Sequence, residues 1–234
     1  MADKTILKVE DITVEFNGAA VLKNLSFEVK EGEVLTILGP NGAGKTVLLK
    51  ALLGVIPFKG KVIWQEGVKI GYVPQRLPFI KDIPMSVGEF LKLKKVSSHE
   101  IKEILQSINL EKNILKKTAG DLSSGQFQRI LVGWALLSAP QVLLFDEPTT
   151  GIDIGGQETI YDFLEKLQKE RNLTILLVTH DLSVVYEMAS HCLCLNKKML
   201  SYSLPKELDS SRLSRLYGGE VKFHHHDSHH RKHD

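Results

Sequence analysis

The sequence predicts an α/β protein: a mostly parallel sheet covered by helices on both faces, an N-terminal antiparallel β subdomain, and a helical subdomain inserted midway. Three observations lead there. The apolar runs in "VLTIL", "QVLLFDEP" and "LTILLVTH" have the near-continuous character of strands buried on both faces, and helical patterns separate them. Residues 6 to 34 instead alternate in short runs broken by turn residues, as antiparallel strands do. Residues 84 to 118 interrupt the α/β alternation with lysine-rich helical spacing.

Taken in order, "ILKVEDITVEF" and "VLKNLSFEV" are the two N-terminal strands, punctuated by "NGAA" and "KEGE". "VLTILGPNGAGKTVLLKALLG" runs strand, glycine-rich loop, helix. "KGKVIWQEGVKIGYVPQ" returns to strands, the last ending at Gln75. "MSVGEFLKLKK", "SHEIKEILQSINL" and "EKNILKKT" form the inserted helical subdomain, placed at about 78–139. "DLSSGQFQRILVGWALLSAP" continues as a helix that Pro140 ends. "IGGQETIYDFLEKLQKER" and "LSVVYEMA" are helices around the strand "LTILLVTH", and "HCLCLN" is the last strand expected. One unit is therefore expected over 1–217, followed by a flexible histidine-rich tail over 218–234.

The 234 residues can bury one substantial core, and 43% hydrophobic with 25% charged residues is the balance of a globular protein. A formal charge of +2 provides no broad basic field, so no nucleic-acid partner is expected. The N-terminal stretch "MADKTILKVEDITVEF" has no apolar signal region, and no run approaches 18 apolar residues, so a chain that stays in the cytosol is expected. Cys192 and Cys194 stand two apart in an apolar run; without a second pair they read as core thiols instead of half a metal site.

"GPNGAGKT" has the spacing of a phosphate-binding loop, and it lies between an apolar strand and a helix, where that mechanism requires it. Gly39, Pro40, Asn41, Gly42, Ala43 and Gly44 form the loop that would wrap around phosphate, all but Pro40 offering a backbone N–H, with Val47 in the first turn of the helix beyond. Lys45 would reach the β- and γ-phosphates, and the Thr46 hydroxyl would bind Mg²⁺. "VLLFDEP" supplies the complement: Asp146 at a strand's carboxyl end for the metal, and Glu147 to orient or deprotonate water. Ser123 and Gln126 in "LSSGQ" have capping-box spacing, which can be a plain helix cap or an anion-binding helix start.

With these motifs located, residues 5 to 215 resemble the ATP-binding cassette (ABC) family, the ATPases that drive transporters. Phe16, the phosphate loop, Gln75, "LSSGQ", "LLFDEP" and His180 arrive in family order. The resemblance implies a P-loop NTPase core with ATP and Mg²⁺ as cofactors. It also implies a head-to-tail dimer in which Ser123, Ser124, Gly125 and Gln126 of one copy face the nucleotide held by the other. Ser124 stands where the family most often has glycine. Phe16 would stack on adenine, although a half-buried strand aromatic is the plainer reading. Gln75, with Thr46 and Asp146, would touch Mg²⁺ and the attacking water; His180 would contact the γ-phosphate; Asp153 in "TTGID" would cross the dimer interface.

The same resemblance implies a membrane permease docking near residues 75–91, a substrate-binding protein acting through it, and residence at the cytoplasmic face of the membrane. Leu77, Phe79, Ile80, Ile83 and Met85 would line the docking groove or else pack on their own lobe. The wording of several segments is most similar to zinc and manganese uptake ATPases. His224, His225, His226, His229, His230 and His233, with Asp227 and Asp234, would hold Zn²⁺ weakly. A purification tail or a solubilising end are the alternatives. The rival functions are a soluble cassette ATPase assisting iron–sulfur cluster assembly, and a metal-binding module without enzymatic activity.

Overall fold

The computed structural model describes residues 4–75, 84–147 and 154–218, with side chains in the last stretch from Ile160 onward. Strands β1 (Thr5–Phe16) and β2 (Ala19–Lys30) form an antiparallel hairpin, and β4 (Lys59–Trp64) pairs with the free side of β1. Asn17 and Gly18 both have positive φ, 49° and 77°. That is the two-residue turn whose twist suits a hairpin.

The parallel part contains β3 (Val34–Leu38), β5 (Ile70–Val73), β6 (Val142–Asp146), β7 (Thr174–Val178) and β8 (His191–Asn196), closed by an antiparallel strand β9 (Lys198–Ser203). The nine described strands run in the order β4-β1-β2-β9-β8-β3-β7-β6-β5. The antiparallel and parallel halves meet at one residue pair, Lys23 with Lys198. Every residue of β3, β6 and β7 is buried, which is why these strands read as unbroken apolar runs.

Helix α1 (Lys45–Leu52) follows β3; α2 (Val87–Lys92), α3 (Ser98–Ser107) and α4 (Ser124–Leu136) form the inserted lobe; α5 (Ile154–Arg171), α6 (Leu182–Met188) and α7 (Ser210–Tyr217) complete the chain. Lobe residues Ile101, Ile104 and Ile108 share one apolar cluster with the sheet residues Val73, Leu143 and Phe145. The lobe is thus packed on the sheet through a common core, and each fully buried Leu or Ile contributes roughly 1.5–3 kcal/mol to holding it there.

Three boundaries differ from expectation. Strand β5 stops at Val73, before Gln75, so the glutamine is outside the ladder. Helix α4 stops at Leu136, ahead of Pro140, because Ala139 already takes a left-handed conformation with φ 45°. Beyond "HCLCLN" the chain adds β9 and then α7, capped by the Asp209 side chain. Both thiols of β8, Cys192 and Cys194, are free and buried, as expected of core cysteines. Among the described residues, no helix is long and apolar enough to cross a membrane.

Candidate functional site

The carboxyl ends of β3, β7 and β6 lie side by side, because Ile37 pairs with Val178 and Val178 with Asp146. Ligand sites of parallel sheets form at such ends. The loop after β3 turns sharply there. Gly44 has φ 99°, and a Cβ on it would sit 2.6 Å from Leu22 Cδ2, so both backbone and neighbour demand glycine.

Gly44 is also the N-cap of α1, and it leaves that helix with no side-chain cap and no acidic residue in its first turn. The N-termini of α2, α3, α4, α6 and α7 are each capped by a serine or aspartate side chain. The amides opening α1, from Lys45 through Val47, thus have no side-chain cap, and uncapped helix-start amides are the donors a phosphate can take. Gly39 packs so tightly on the Leu195 carbonyl that any side chain would collide. Pro40 accepts the Ala43 amide, which closes the loop around Asn41 and Gly42.

Lys45 is 6% exposed, and its Nζ donates to the Gly39 carbonyl at 2.8 Å and to that of Pro40 at 3.2 Å. The same ammonium lies 3.4 Å from Glu147 Oε1. Glu147 Oε2 accepts from Gln75 Nε2 at 2.5 Å, so lysine and glutamine hold the carboxylate from two sides. Glu147 is held in a left-handed conformation, φ 48°, and its amide donates to the Val178 carbonyl. Such backbone strain is of order 1–3 kcal/mol and gathers at functional sites.

Thr46 Oγ1 donates to Asp146 Oδ1 at 3.1 Å. Burial pushes the Asp146 carboxyl above the ordinary carboxylate range, against the Thr46 bond, and the neighbouring Glu147 charge adds to the upward push. A hydroxyl and a buried carboxylate side by side, with the Gln75 amide bonded to the adjacent Glu147, are hard oxygen donors of the type Mg²⁺ takes, so these residues fit that ion. Tyr72, one residue before the end of β5, is a site neighbour that the sequence spacing does not point to. Burial, then the charge of Asp146 and a hydrogen bond to it, push the Tyr72 phenol up to about 12.

His180 is exposed just beyond β7. Thr179, buried between them, pairs with the Tyr161 hydroxyl at 3.1 Å and accepts the Asp181 amide, which fixes the turn that presents the histidine. Sequence spacing identified the histidine but not Tyr161, which comes from a separate helix. Phe16, at the end of β1, is 43% exposed, so its ring is open to a planar ligand.

In "LSSGQ", Ser123 Oγ accepts the Gln126 amide at 3.2 Å and the Gln126 side chain returns the bond to the Ser123 amide at 3.3 Å. Ser124 begins α4 without a positive φ. A Cβ on Gly125 would meet no atom of the described residues within 4 Å. Below this helix start, a groove of about 230 Å³ is lined by Met85, Val87, Phe90, Leu93, Leu122 and Phe127, nearly all apolar.

Asp153 and the six tail histidines lie outside the described residues, as do Leu77, Phe79, Ile80 and Ile83. Among the described residues there is no cluster of three or more His, Cys, Asp or Glu able to hold a metal.

Residues 22–150 match the family model described as ABC transporter. The zinc import ATP-binding protein ZnuC of Wigglesworthia glossinidia brevipalpis is 36% identical over 207 residues, covering 88% of this chain and 89% of that protein. ZnuC of Photorhabdus laumondii is 38% identical over 204 residues, covering 86% and 79%. Among solved structures, a transporter assigned to the metal-chelate type of ABC transporter, in an inward-facing conformation, superposes with a TM-score of 0.80 at 28% identity, covering 91% of this chain and 88% of that one. CbiO1 of Clostridium perfringens, part of the cbiONQ transporter complex, gives 0.76 at 27% identity, covering 88% and 90%.

Proposed function

The chain belongs to the ABC transporter family as an ATP-hydrolysing subunit, and on that premise we propose that it powers import of a divalent metal of the zinc class. The observation that supports hydrolysis most directly is the convergence of Lys45, Gln75 and Glu147 within hydrogen-bonding or ion-pair distance at the mouth of an uncapped helix. The metal class rests on the zinc-import relatives.

The hydrolytic step follows from what each side chain can do. Glu147 orients a water molecule and accepts its proton as a bond forms from the water oxygen to the γ-phosphorus. The bond from that phosphorus to the β,γ-bridging oxygen breaks, and the electron pair leaves with ADP. Lys45, now held by two loop carbonyls, redirects its donors to the β- and γ-phosphate oxygens. Mg²⁺, held by Thr46, Asp146 and Gln75, would neutralise charge on the same phosphates. His180 stands at the rim to donate to the γ-phosphate, and Phe16 offers a face for adenine.

The exposed start of α4 is a donor surface for a second copy of the chain. In this reading Ser123, Ser124, Gly125 and Gln126 of one copy close over the ATP bound by the other, and Asp153 lies at that contact. The permease docks in the apolar groove beside Met85 and Phe90, whose wall includes Phe127 of the same helix. Docking and nucleotide closure then share α4. A substrate-binding protein acts through the permease, and the chain works from the cytoplasmic face. The tail from His224 to His233 would be a weak Zn²⁺ ligand set; zinc calorimetry on the full chain and on one ending at Phe223 tests it, and equal binding by both removes the tail from the reading.

Co-reconstitution of the chain with its permease in vesicles tests the whole. ATP-dependent uptake of zinc, competed by manganese, is the expected result. ATP hydrolysis without zinc uptake would overturn the metal assignment alone, and absence of Mg²⁺-dependent hydrolysis would overturn the catalytic one.

A further inference from the structure

A second cavity, this one polar, lies between β9 and α7 and shares no lining residue with the phosphate loop motif. It measures about 350 Å³, and its polar lining is Ser201, Tyr202, Ser203, Glu207, Arg212 and Arg215. The sequence places these groups by period. Ser201 and Ser203 are two apart and share one face of β9, while Arg212 and Arg215 are three apart and share one face of α7.

Two of its polar atoms are buried without a hydrogen-bond partner among the described residues, Ser203 Oγ and Arg212 Nη1, while the Ser201 hydroxyl is shared with the Cys194 thiol opposite it on β8. Ser203 is only 7% exposed. Leaving such groups unpaired is costly, so two at one cavity define what would relieve them. A guanidinium only donates, and a serine hydroxyl can donate, so the occupant must be rich in acceptors. Charge points the same way. Glu207 Oε2 lies 3.6 Å from Arg212 Nη1 and offsets that guanidinium, while Arg215 has no ion pair among the described residues. The Tyr202 hydroxyl is already committed to the Glu28 carbonyl.

We propose that this cavity is an anion-binding site, separate from the nucleotide site, which takes a compact phosphate-class oxyanion between the hydroxyls of Ser201 and Ser203 and the guanidinium groups of Arg212 and Arg215. Its volume accommodates inorganic phosphate with room for an ester substituent. It does not depend on the transported substrate.

The full chain is first saturated with Mg²⁺ and a non-hydrolysable ATP analogue, so that the phosphate loop is filled, and is then titrated with inorganic phosphate by calorimetry. One saturable site is expected. Ser203→Ala and Arg215→Gln should each weaken it about tenfold or more, as loss of a bond to a charged ligand does. Lys198→Gln, on the same strand outside the cavity, should leave it unchanged. No saturable binding up to about 10 mM phosphate, which corresponds to less than about 3 kcal/mol, would mean the cavity holds only water and would overturn the proposal. Equal weakening by Lys198→Gln would overturn it too, because the effect would then be one of overall charge. Ser203→Ala removes one oxygen and keeps the strand, so the test stands even where an arginine variant folds poorly.

Discussion

Gln75 and Glu147 are hydrogen bonded at 2.5 Å, and Lys45 lies 3.4 Å from the other oxygen of the same carboxylate. The lysine proposed to bind phosphate and the acid proposed to handle water are therefore in direct contact, and Gln75 holds the same carboxylate from its other side. Glu147→Gln keeps the shape but removes the proton acceptor. Steady-state ATP turnover should fall about a hundredfold or more, while ATP affinity changes only a few-fold and an ATP-loaded dimer accumulates on size exclusion. Full turnover in this variant would show that another group takes the proton.

Gly125 separates folding from assembly. A Cβ there meets no described atom within 4 Å, and valine is a better helix former than glycine, so Gly125→Val should leave the melting temperature unchanged or slightly raised. ATPase activity should nevertheless fall by about tenfold or more if another copy approaches this surface, since a loss of roughly 1.4 kcal/mol suffices. Ser124→Gly is the complementary case. Ser124 already has a helical backbone, so activity should change by less than about tenfold, and a larger gain would mean that the serine hinders closure.

The parts of this site that local geometry dictates were legible in the sequence. A strand of five apolar residues, Gly44 at a forced turn, and Lys45 opening a helix follow from spacing alone, as does the Ser123–Gln126 capping box. Contacts between distant segments were not legible. Nothing within "GYVPQ" says that Tyr72 will bond Asp146, because that depends on β5 pairing with β6, and Tyr161 reaches Thr179 only once α5 is laid on the sheet. The last hairpin and helix were missed for a different reason. "KMLSYS" is half-buried, and α7 is a short helix whose apolar face consists of Leu213 and Leu216 behind the Asp209 cap.

Cys192 gives a pH dependence with a definite sign. Burial pushes its thiol up to about 11 from an ordinary value near 9, although Thr36 donates to it at 3.3 Å. The folded state therefore holds the proton more tightly than the unfolded state. The stability this provides is complete below pH 9 and is lost as the pH rises toward about 11, at no more than about 1.4 kcal/mol per pH unit. Urea unfolding at pH 8 to 11, compared with Cys192→Ala, should show the wild-type advantage shrinking across that window. A constant difference would mean that the thiol titrates normally.

Leu93 is 59% exposed at the rim of the apolar groove formed by Phe90, Leu122 and Phe127. An isolated exposed leucine needs no explanation, but one that continues an apolar cavity widens the surface a partner helix can cover. Leu93→Asp places a charge at that rim without entering the core or the nucleotide site. Melting temperature and basal ATPase activity should be nearly unchanged, whereas co-purification with the permease should fall by about tenfold, the effect of burying an unpaired carboxylate at a contact. Retention of full permease binding would move the docking surface away from this groove. Loss of basal ATPase activity together with permease binding would instead show that Leu93 supports the lobe itself, because a docking residue has no reason to alter hydrolysis in the isolated chain.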